Sequence, residues 1–423
     1  MTKKKKNDKS KSAGAKKNAS RPVGSKKKFP VVVTWLLVVL CVLVAGRLVS
    51  EIPAMVADYN ARQEQAGRDT SALKPEEPAL SLQEIQERKL IVDVHEHIGT
   101  LEEAATYLDV MDELGIGKMC LMGSSKFTLT LNESYGFTGY DENNAELIKI
   151  IRTSPGRFEA WPTVNPEDPK KLEKFKALVE QGASGLKLYT GHGYTTKQNE
   201  YMFHPIAMDD PRMMPLYAYC EENFIPVCIH VNPYKGKPGF AQEFIAVLSA
   251  FPDMKVDCPH FMLSSIMSSR LREYLDTFPN LYTDISFGDF FMKAGLTRIS
   301  RSPEKFKKIF NDYPDRIMYA ADLVLIDSPR QDREWVYTQL KAYLDMLSKE
   351  TYTTPAIPGQ TLNGLALPDW ILERVLYKNF EALKNRKPRG TEITREINWD
   401  RMNVTPLDRK PGQTFPPPPK KKK

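Results

Sequence analysis

Eight short runs rich in β-branched and other apolar residues alternate with helix-like segments between residues 86 and 385. Several of the intervening segments carry apolar residues at helical spacing and end in glycine, as EEAATYLDVMDELG does. This repetition predicts an α/β fold, a (β/α)₈ TIM barrel. An open, doubly wound sheet is the alternative, but IVDVHEHIG lacks the glycine-rich phosphate-binding turn expected there. The predicted strands are KLIVDVH (89–95), KMCLMG (118–123), FEAWPTV (158–164), SGLKLY (184–189), PVCIHV (226–231), MKVDCPH (254–260), NLYTDIS (280–286) and RIMYAA (316–321).

Five polar residues lie where these strands end. His95 and His97 end the first strand, His230 the fifth and His260 the sixth, and Asp322 follows the eighth. Active sites of TIM barrels form at this end of the strands. The His-x-His pair alone is weak evidence, but several polar groups converging without a ligand would be costly to desolvate. Imidazole and carboxylate together suit Zn²⁺ and similar divalent ions, so the pattern predicts a metal site.

The neighbours of the two histidines are assigned by strand alternation. Residues two apart share a face, so Asp93, His95 and His97 are expected to face the barrel interior. Glu96 has the opposite parity and should point to the barrel wall or contact a loop. Because ligating histidines need a partner for their other ring nitrogen, Asp93 is expected to support the ligands rather than bind the ion.

The pattern from about residue 88 to 385 resembles the amidohydrolase superfamily, in the amidohydrolase-related branch that includes aminocarboxymuconate-semialdehyde decarboxylase. VDVHEH resembles the D-x-H-x-H of the first strand, and GASGLKLY resembles the G-x-K-L segment of the fourth. IPVCIHVN, KVDCPH and DRIMYAADL resemble the segments carrying the fifth-strand and sixth-strand histidines and the eighth-strand aspartate. ILERVLYKNFEAL resembles the closing helix.

The resemblance implies a role for each site residue. His95, His97 and His230 would be metal ligands, and Asp322 a ligand or the group that takes a proton from a bound water. His260 would orient that water or polarise the substrate. A divalent ion lowers the pKa of a bound water toward about 7, and a nearby carboxylate can then move its proton. One divalent ion is usual in this branch, and Zn²⁺ is the expected metal.

Other residues near the strand ends have two interpretations. Lys187 is a bridging carboxylated lysine, a substrate contact or a structural residue, and the sequence does not decide among them. Tyr189, His192 and Arg330 are candidate substrate contacts, whereas His204 fits a structural role better. Ala320-Ala321 and Phe261 stand where the family often has Gly-Ser and Gly. These departures put the substrate in doubt and leave the ligands in place.

The ends of the chain differ from its body. Residues 1–28 contain twelve lysines or arginines and one acid and are expected to form a cytoplasmic tail. An uncharged apolar run within 29–49 predicts a single transmembrane helix, with a cleaved signal peptide as the alternative. The basic flank predicts a cytoplasmic N-terminus, which would place the catalytic domain, 86–385, on the exported (periplasmic or extracellular) side. Residues 50–85 would be a linker, and 386–423 a proline- and lysine-rich tail.

The charge pattern and the cysteines limit the partners. Because the positive charge is concentrated in the tails, the body is mildly acidic, and no nucleic-acid partner is expected. The expected partners are a small-molecule substrate and, through 29–49, the lipid bilayer; a homo-oligomer is left open. None of the five cysteines has CxxC spacing, so no cysteine-type zinc site or disulfide framework is expected, although Cys228 and Cys258 could pair in an exported protein.

Three functions compete at this stage. A metal-dependent hydrolase acting on a C–N or C–O bond is the leading hypothesis. A metal-dependent non-oxidative decarboxylase would use the same site, and no arginine directly follows a site residue to favour it. A membrane-tethered binding protein with an inactive barrel would have lost a ligand, and every expected ligand is present.

Overall fold

The structure is a computed structural model. It describes residues 68–75, 78–130, 137–191, 206–231, 238–262, 268–326, 331–385 and 396–402. Most of this part of the chain forms strands and helices that alternate around one large apolar core.

The barrel strands form two parallel sheets. The strands are β1 (Ile91–Ile98), β2 (Ile116–Met122), β3 (Phe158–Trp161), β4 (Leu186–Gly191), β5 (Val227–Val231), β6 (Val256–Asp257), β7 (Leu281–Asp284), β8 (Ile317–Met318) and β9 (Val324–Leu325). One sheet has the order β3-β2-β1-β9 and the other the order β4-β5-β6-β7-β8. β10 (Thr351–Tyr352) and β11 (Leu362–Asn363) pair separately as an antiparallel hairpin.

The two parallel sheets join into a closed barrel. A parallel bridge between Thr163 and Lys187 connects the end of β3 to β4. On the other side, β8 pairs with β7 while β9 pairs with β1, so one length of chain serves as an eighth strand in two pieces. The break lies at Asp322, whose φ of 59° is in the left-handed region. The predicted (β/α)₈ architecture is confirmed.

Helices connect the strands and cover the barrel. They are α1 (Leu82–Glu87), α2 (Leu101–Leu114), α3 (Lys126–Thr130), α4 (Tyr140–Thr153), α5 (Lys171–Glu180), α6 (Met214–Glu222), α7 (Pro238–Ala250), α8 (Ser268–Thr277), α9 (Gly288–Arg301), α10 (Pro303–Asp312), α11 (Arg333–Ser348), α12 (Asp369–Glu373), α13 (Asn379–Asn385) and α14 (Trp399–Met402). Short 3₁₀ and π turns occupy Ser71–Leu73 and Arg374–Lys378.

Helix α2 shows how the sequence pattern becomes structure. Tyr107, Val110, Met111 and Leu114 are buried, which is the spacing of one helical face. Gly115 ends the helix with a φ of 72°, in the left-handed conformation that glycine adopts without a Cβ penalty. This face packs the helix against the barrel next to β1 and β2.

The predicted membrane location is corrected by the structure. Within the described ranges, which begin at residue 68, no helix is both long and apolar enough to cross a bilayer. The segment on which the prediction rested, 29–49, lies outside the described residues, as do the tail 1–28 and, apart from residues 396–402, the tail 386–423. We therefore withdraw the membrane-anchored location and the lipid partner. Cys228 and Cys258 are buried free thiols.

Candidate metal centre

His95, His97 and Asp322 meet at the carboxyl end of the barrel. His97 Nε2 lies 3.1 Å from Asp322 Oδ1, and His95 Nε2 lies 3.4 Å from the same oxygen. Ligands of a tetrahedral Zn²⁺, each about 2.0–2.1 Å from the ion, stand roughly 3.3 Å apart. The three atoms therefore have the spacing of neighbouring ligands around one ion.

The hydrogen bond at Nδ1 of His95 shows which of its two ring nitrogens carries the proton. His95 Nδ1 lies 3.0 Å from Asp284 Oδ2. An ionised carboxylate only accepts, so Nδ1 carries the proton of the neutral ring and Nε2 carries a lone pair. Burial, followed by the positive charge of Lys187, lowers the pKa of His95 to about 4, which keeps the ring neutral at pH 7.

His97 is held in the same tautomer as His95. Its Nδ1 lies 2.7 Å from Ser124 Oγ, and the Ser124 hydroxyl donates to Met122 O at 3.0 Å. The Ser124 oxygen is therefore the acceptor toward His97, which leaves a lone pair on His97 Nε2. Burial is the main cause that lowers the pKa of His97.

Asp322 completes a set of metal-binding atoms, none of which carries a proton. Burial acts to raise the pKa of Asp322, but favourable interactions with the neighbouring imidazoles of His95, His97 and His260 outweigh it, so the pKa lies below its ordinary value and the carboxylate is ionised at pH 7. In the neutral tautomers assigned above, two imidazole lone pairs then face a carboxylate oxygen. The Lys187 ammonium, 2.9 Å from His95 Nε2, donates to the first of these lone pairs, so the repulsion that calls for a metal cation is the one between His97 Nε2 and Asp322 Oδ1 at 3.1 Å. The residues therefore fit a divalent metal, because neutral imidazole and ionised carboxylate are the forms that bind it.

Asp284, at the end of β7, holds His95 and the turn at His260 in place through hydrogen bonds. Its second oxygen, Oδ1, accepts from the backbone N–H groups of His260 at 2.9 Å and Ser286 at 3.0 Å. His95, His260 and Asp284 also approach one another closely enough to hold an ion. Both Asp284 oxygens already accept hydrogen bonds, so we interpret this second group as the support of His95 rather than as a separate metal site.

Replacing Asp284 by asparagine is expected to weaken metal binding by about 10–100-fold. An asparagine oxygen can keep the bonds from His260 and Ser286, while its NH₂ group would face His95 Nδ1. That ring nitrogen would have to become the acceptor, and the proton would move to Nε2, where it blocks a ligand position. Titration of the full chain against a chromophoric metal chelator measures the change; an affinity equal to that of the wild type would contradict this role.

His260 and His230 lie beside the first group. His260 Nδ1 faces the Ser286 carbonyl oxygen at 3.0 Å, so Nε2 is the acceptor nitrogen of the neutral ring. This Nε2 lies 3.7 Å from Asp322 Oδ2 and 3.3 Å from His230 Nδ1. Neither three-residue group that the described part of the chain offers contains His230. The structure therefore places His230 next to His260, and its predicted role as a ligand stays a prediction.

Asp93 lies against the backbone of His95, and its predicted supporting role stays a prediction. Asp93 is fully buried, but its Oδ1 accepts from the backbone N–H of His95 at 3.1 Å and does not contact an imidazole nitrogen. Asp284 and Ser124 hold the ring nitrogens instead. The reason is the irregular pairing of β1 with β2 between Asp93 and Glu96, which breaks the simple alternation of faces.

Lys187 places a buried amine beside the site. Its Nζ lies 2.9 Å from His95 Nε2 and 3.4 Å from Cys228 Sγ, and 5.1 Å above the centre of the Tyr189 ring. Burial acts to lower the pKa of Lys187, but the neighbouring Cys228 thiol, the Tyr189 hydroxyl and the Asp322 and Asp284 carboxylates leave it above its ordinary value. Among the residues that the structure describes, no carboxylate forms an ion pair with it within 4.0 Å. Tyr189 donates to Gly123 O at 2.9 Å and closes this side of the barrel.

Replacing Lys187 by methionine is expected to tighten metal binding at least tenfold if the amine is unmodified. Two like unit charges about 4 Å apart repel by roughly 4 kcal/mol at an effective dielectric constant of 20, and a tenfold change needs only about 1.4 kcal/mol. A bridging carboxylated lysine predicts the opposite result, since its loss would remove a ligand. The affinity, measured by chelator competition, decides between the two, and a mass increase of the intact protein by one CO₂ would support the second.

The remaining predicted contacts fall outside the described ranges, and other residues were missed by the sequence reasoning. His192, His204 and Arg330 lie outside the described residues. Asp284 was available in the sequence, because it stands in NLYTDIS at the carboxyl end of the seventh predicted strand. Ser124 and Ser286 follow strands in the same way and carried no distinguishing signal.

Most of the barrel matches a known protein family. The family model Amidohydro_2, described as amidohydrolase, matches residues 126–383. The match covers more than half of the 423 residues and includes His230, His260 and Asp322. The chain therefore belongs to the amidohydrolase family, a family of metal-dependent enzymes, and the resemblance seen in the sequence is confirmed. Comparison with curated proteins gives no match.

Solved structures of similar shape include three proteins from bacteria. One is a 5-carboxyvanillate decarboxylase from Sphingomonas paucimobilis, with 13% identity, a TM-score of 0.45 and coverage of 70% of this chain and 98% of that chain. A 2,6-dihydroxybenzoate decarboxylase from Rhizobium has 16% identity, a TM-score of 0.43 and coverages of 69% and 98%. A probable 2-pyrone-4,6-dicarboxylic acid hydrolase from Acinetobacter baumannii has 13% identity, a TM-score of 0.45 and coverages of 70% and 98%. With TM-scores below 0.5, we draw nothing about activity from them.

Proposed function

We propose that this protein is a metal-dependent hydrolase that cleaves a C–N or C–O bond of a small molecule with an activated water. The observation that carries the proposal is the convergence of two imidazole lone pairs, on His95 and His97, upon the carboxylate of Asp322. Together with His230 these residues would hold one divalent ion, with Zn²⁺ as the expected metal. When bound, the ion supplies Lewis acidity that lowers the pKa of a water ligand and polarises a substrate oxygen.

Asp322 is the proposed proton acceptor. Its Oδ1 faces the two histidines, while Oδ2 is directed toward His260 Nε2 at 3.7 Å. The side chain keeps part of its surface accessible, so a water can reach Oδ2. Asp322 would take the proton of the attacking water at Oδ2 and later deliver it to the leaving group.

His260 is the proposed orienting residue. The Ser286 carbonyl fixes the ring so that Nε2 is an acceptor, and the attacking water would donate one hydrogen to this nitrogen in place of its 3.3 Å contact with His230 Nδ1. The backbone at His260 has a φ of 64°, and Phe261 and Met262 follow in the same left-handed region. Non-glycine residues in this region cost about 1–3 kcal/mol each, so this turn needs support from the bonds to Asp284 and Ser286.

A decarboxylase acting at the same centre is the second candidate, and Lys187 is the observation that favours it. A buried ammonium group normally has an anionic partner. Within the described ranges Lys187 has none at ion-pair distance, so a substrate carboxylate could fill this place. The same contact would also suit a hydrolase whose substrate carries a carboxylate.

One screen tests the function and separates the two candidates. The purified full chain, loaded with Zn²⁺, is incubated with two groups of compounds: carboxylate-bearing lactones, esters and amides, and hydroxybenzoate-type acids. Hydrolysis and the release of CO₂ are measured for each compound. Hydrolysis without CO₂ supports the leading proposal, and CO₂ release supports the second. A complete lack of turnover above the Asp322→Asn variant across the panel would overturn both.

A further inference from the structure

The eighth barrel strand contains an extra residue next to β1. In a regular parallel pair of strands, one residue donates its N–H to a carbonyl of the neighbouring strand. Its own C=O accepts from the N–H two residues further along that neighbouring strand. Here Asp322 N donates to His95 O at 2.8 Å, but His97 N donates to Leu323 O at 2.8 Å. One residue is therefore inserted, which defines a β-bulge at Asp322 and Leu323. The bulge coincides with the left-handed backbone of Asp322.

The bulge leaves one backbone donor to be satisfied by a side chain. Leu323 N donates to Glu96 Oε2 at 2.9 Å. Glu96 lies between the two histidines of β1 and is fully buried. The same oxygen accepts from the Tyr107 hydroxyl on α2 at 2.9 Å. Glu96 thus connects the covering helix, β1 and the residue that follows Asp322.

We propose that Glu96 is a positioning residue that holds this bulge and thereby aims the Asp322 carboxylate at His95 and His97. The inference rests on the proposed function, since it concerns the geometry of the same metal centre. Without an acceptor for Leu323 N, the left-handed conformation of Asp322 loses a stabilising hydrogen bond, and the eighth strand can relax toward regular pairing. Regular pairing would shift Asp322 by one position on the strand and turn its side chain away from the histidines.

The structure also indicates which property of Glu96 matters. The two donors that Glu96 Oε2 accepts are a backbone N–H and a hydroxyl, and both need only an acceptor oxygen; the Glu96 carboxyl group also interacts with the buried carboxyl group of Asp93. A glutamine keeps that oxygen at the same reach, whereas a methionine keeps the length and removes it. Tyr107→Phe is the matched control, because it removes the other donor to the same oxygen and leaves the bond to Leu323.

Cobalt binding tests the proposal without an activity assay. The full chain and its variants are loaded with Co²⁺, and the visible absorption spectrum and dissociation constant are measured, since the spectrum reports the ligands of the ion. For Glu96→Met we expect a changed spectrum and at least about tenfold weaker binding, the loss typical when a supporting group is removed. Glu96→Gln and Tyr107→Phe should both stay close to the wild type.

The outcomes distinguish a failure of the positioning role of Glu96 from a failure of the metal centre. A folded Glu96→Met variant, checked by circular dichroism, with wild-type spectrum and affinity would overturn the positioning role, and so would a folded Glu96→Gln variant that loses as much as the methionine variant. If the methionine variant does not fold, Glu96→Asp, one methylene too short to reach Leu323 N, is expected to show the same spectral change, and a wild-type spectrum there overturns the role. A wild-type chain that binds no Co²⁺ would instead reject the metal centre itself.

Discussion

Asp322→Asn is expected to lower turnover by about 10²–10⁴-fold, the range that a positioned proton acceptor contributes. The asparagine keeps the size and the backbone of the residue, including the bond from its N–H to His95 O at 2.8 Å. It cannot take a proton at Oδ2, so the attacking water would remain unactivated. The rate is measured with the substrate that the screen identifies, on protein loaded with the same metal as the wild type.

The control for this variant is Asp112→Asn. Asp112 is an exposed carboxylate that pairs with Lys89 at 2.8 Å and Arg157 at 3.0 Å, two residues that precede β1 and β3, whereas the site residues lie where strands end. An exposed ion pair contributes only about 0–1 kcal/mol, so this variant should keep wild-type turnover. If Asp322→Asn, metal-loaded and folded, turned over as fast as this control, Asp322 would not be the proton acceptor.

His97→Ala is expected to weaken metal binding by more than about 100-fold, beyond the roughly 10–100-fold cost of losing a supporting partner. The substitution removes a ligand nitrogen and leaves Ser124 bonded to Met122 O, so no buried charge loses its partner. Ser124→Ala provides the graded comparison, because it removes only the acceptor at His97 Nδ1. Its metal affinity should fall between those of the wild type and His97→Ala.

Chelator competition on the three proteins checks this order. A His97→Ala chain that retains wild-type affinity would show that the lone pairs of His95 and His97 do not converge on an ion. A Ser124→Ala chain weaker than His97→Ala would mean that the loop after β2, rather than the imidazole, controls binding.

The barrel could be predicted from the sequence because each strand is short, apolar and followed by a helix-like segment. The carboxyl ends of parallel strands must meet, so His95, His97 and Asp322 could be grouped across more than 220 residues. The structure brings these three together within hydrogen-bonding distance. The predicted membrane location is wrong, because the described part of the chain contains no helix that is long and apolar enough to cross a bilayer.

Residues that depend on local irregularity could not be predicted in the same way. The eighth strand was predicted as one run, 316–321, whereas it is observed as two pieces separated by a bulge. Strict alternation assigned the support of the histidines to Asp93, but with the shifted register of β1 it is Asp284 and Ser124 that contact the ring nitrogens. Parallel barrel strands are buried on both faces and read as continuous apolar runs, so an inserted residue leaves no mark on their hydrophobic pattern and periodicity alone does not reveal the bulge.

Metal content tests the central claim most directly. The full chain is purified without chelators, and transition metals are quantified by elemental analysis, with His97→Ala prepared in parallel. The convergence of His95, His97 and Asp322 predicts close to one equivalent of a single divalent metal, Zn²⁺ by expectation, in the wild type and little in the variant. A wild-type chain that holds no transition metal above the variant, even after incubation with Zn²⁺, would contradict the account.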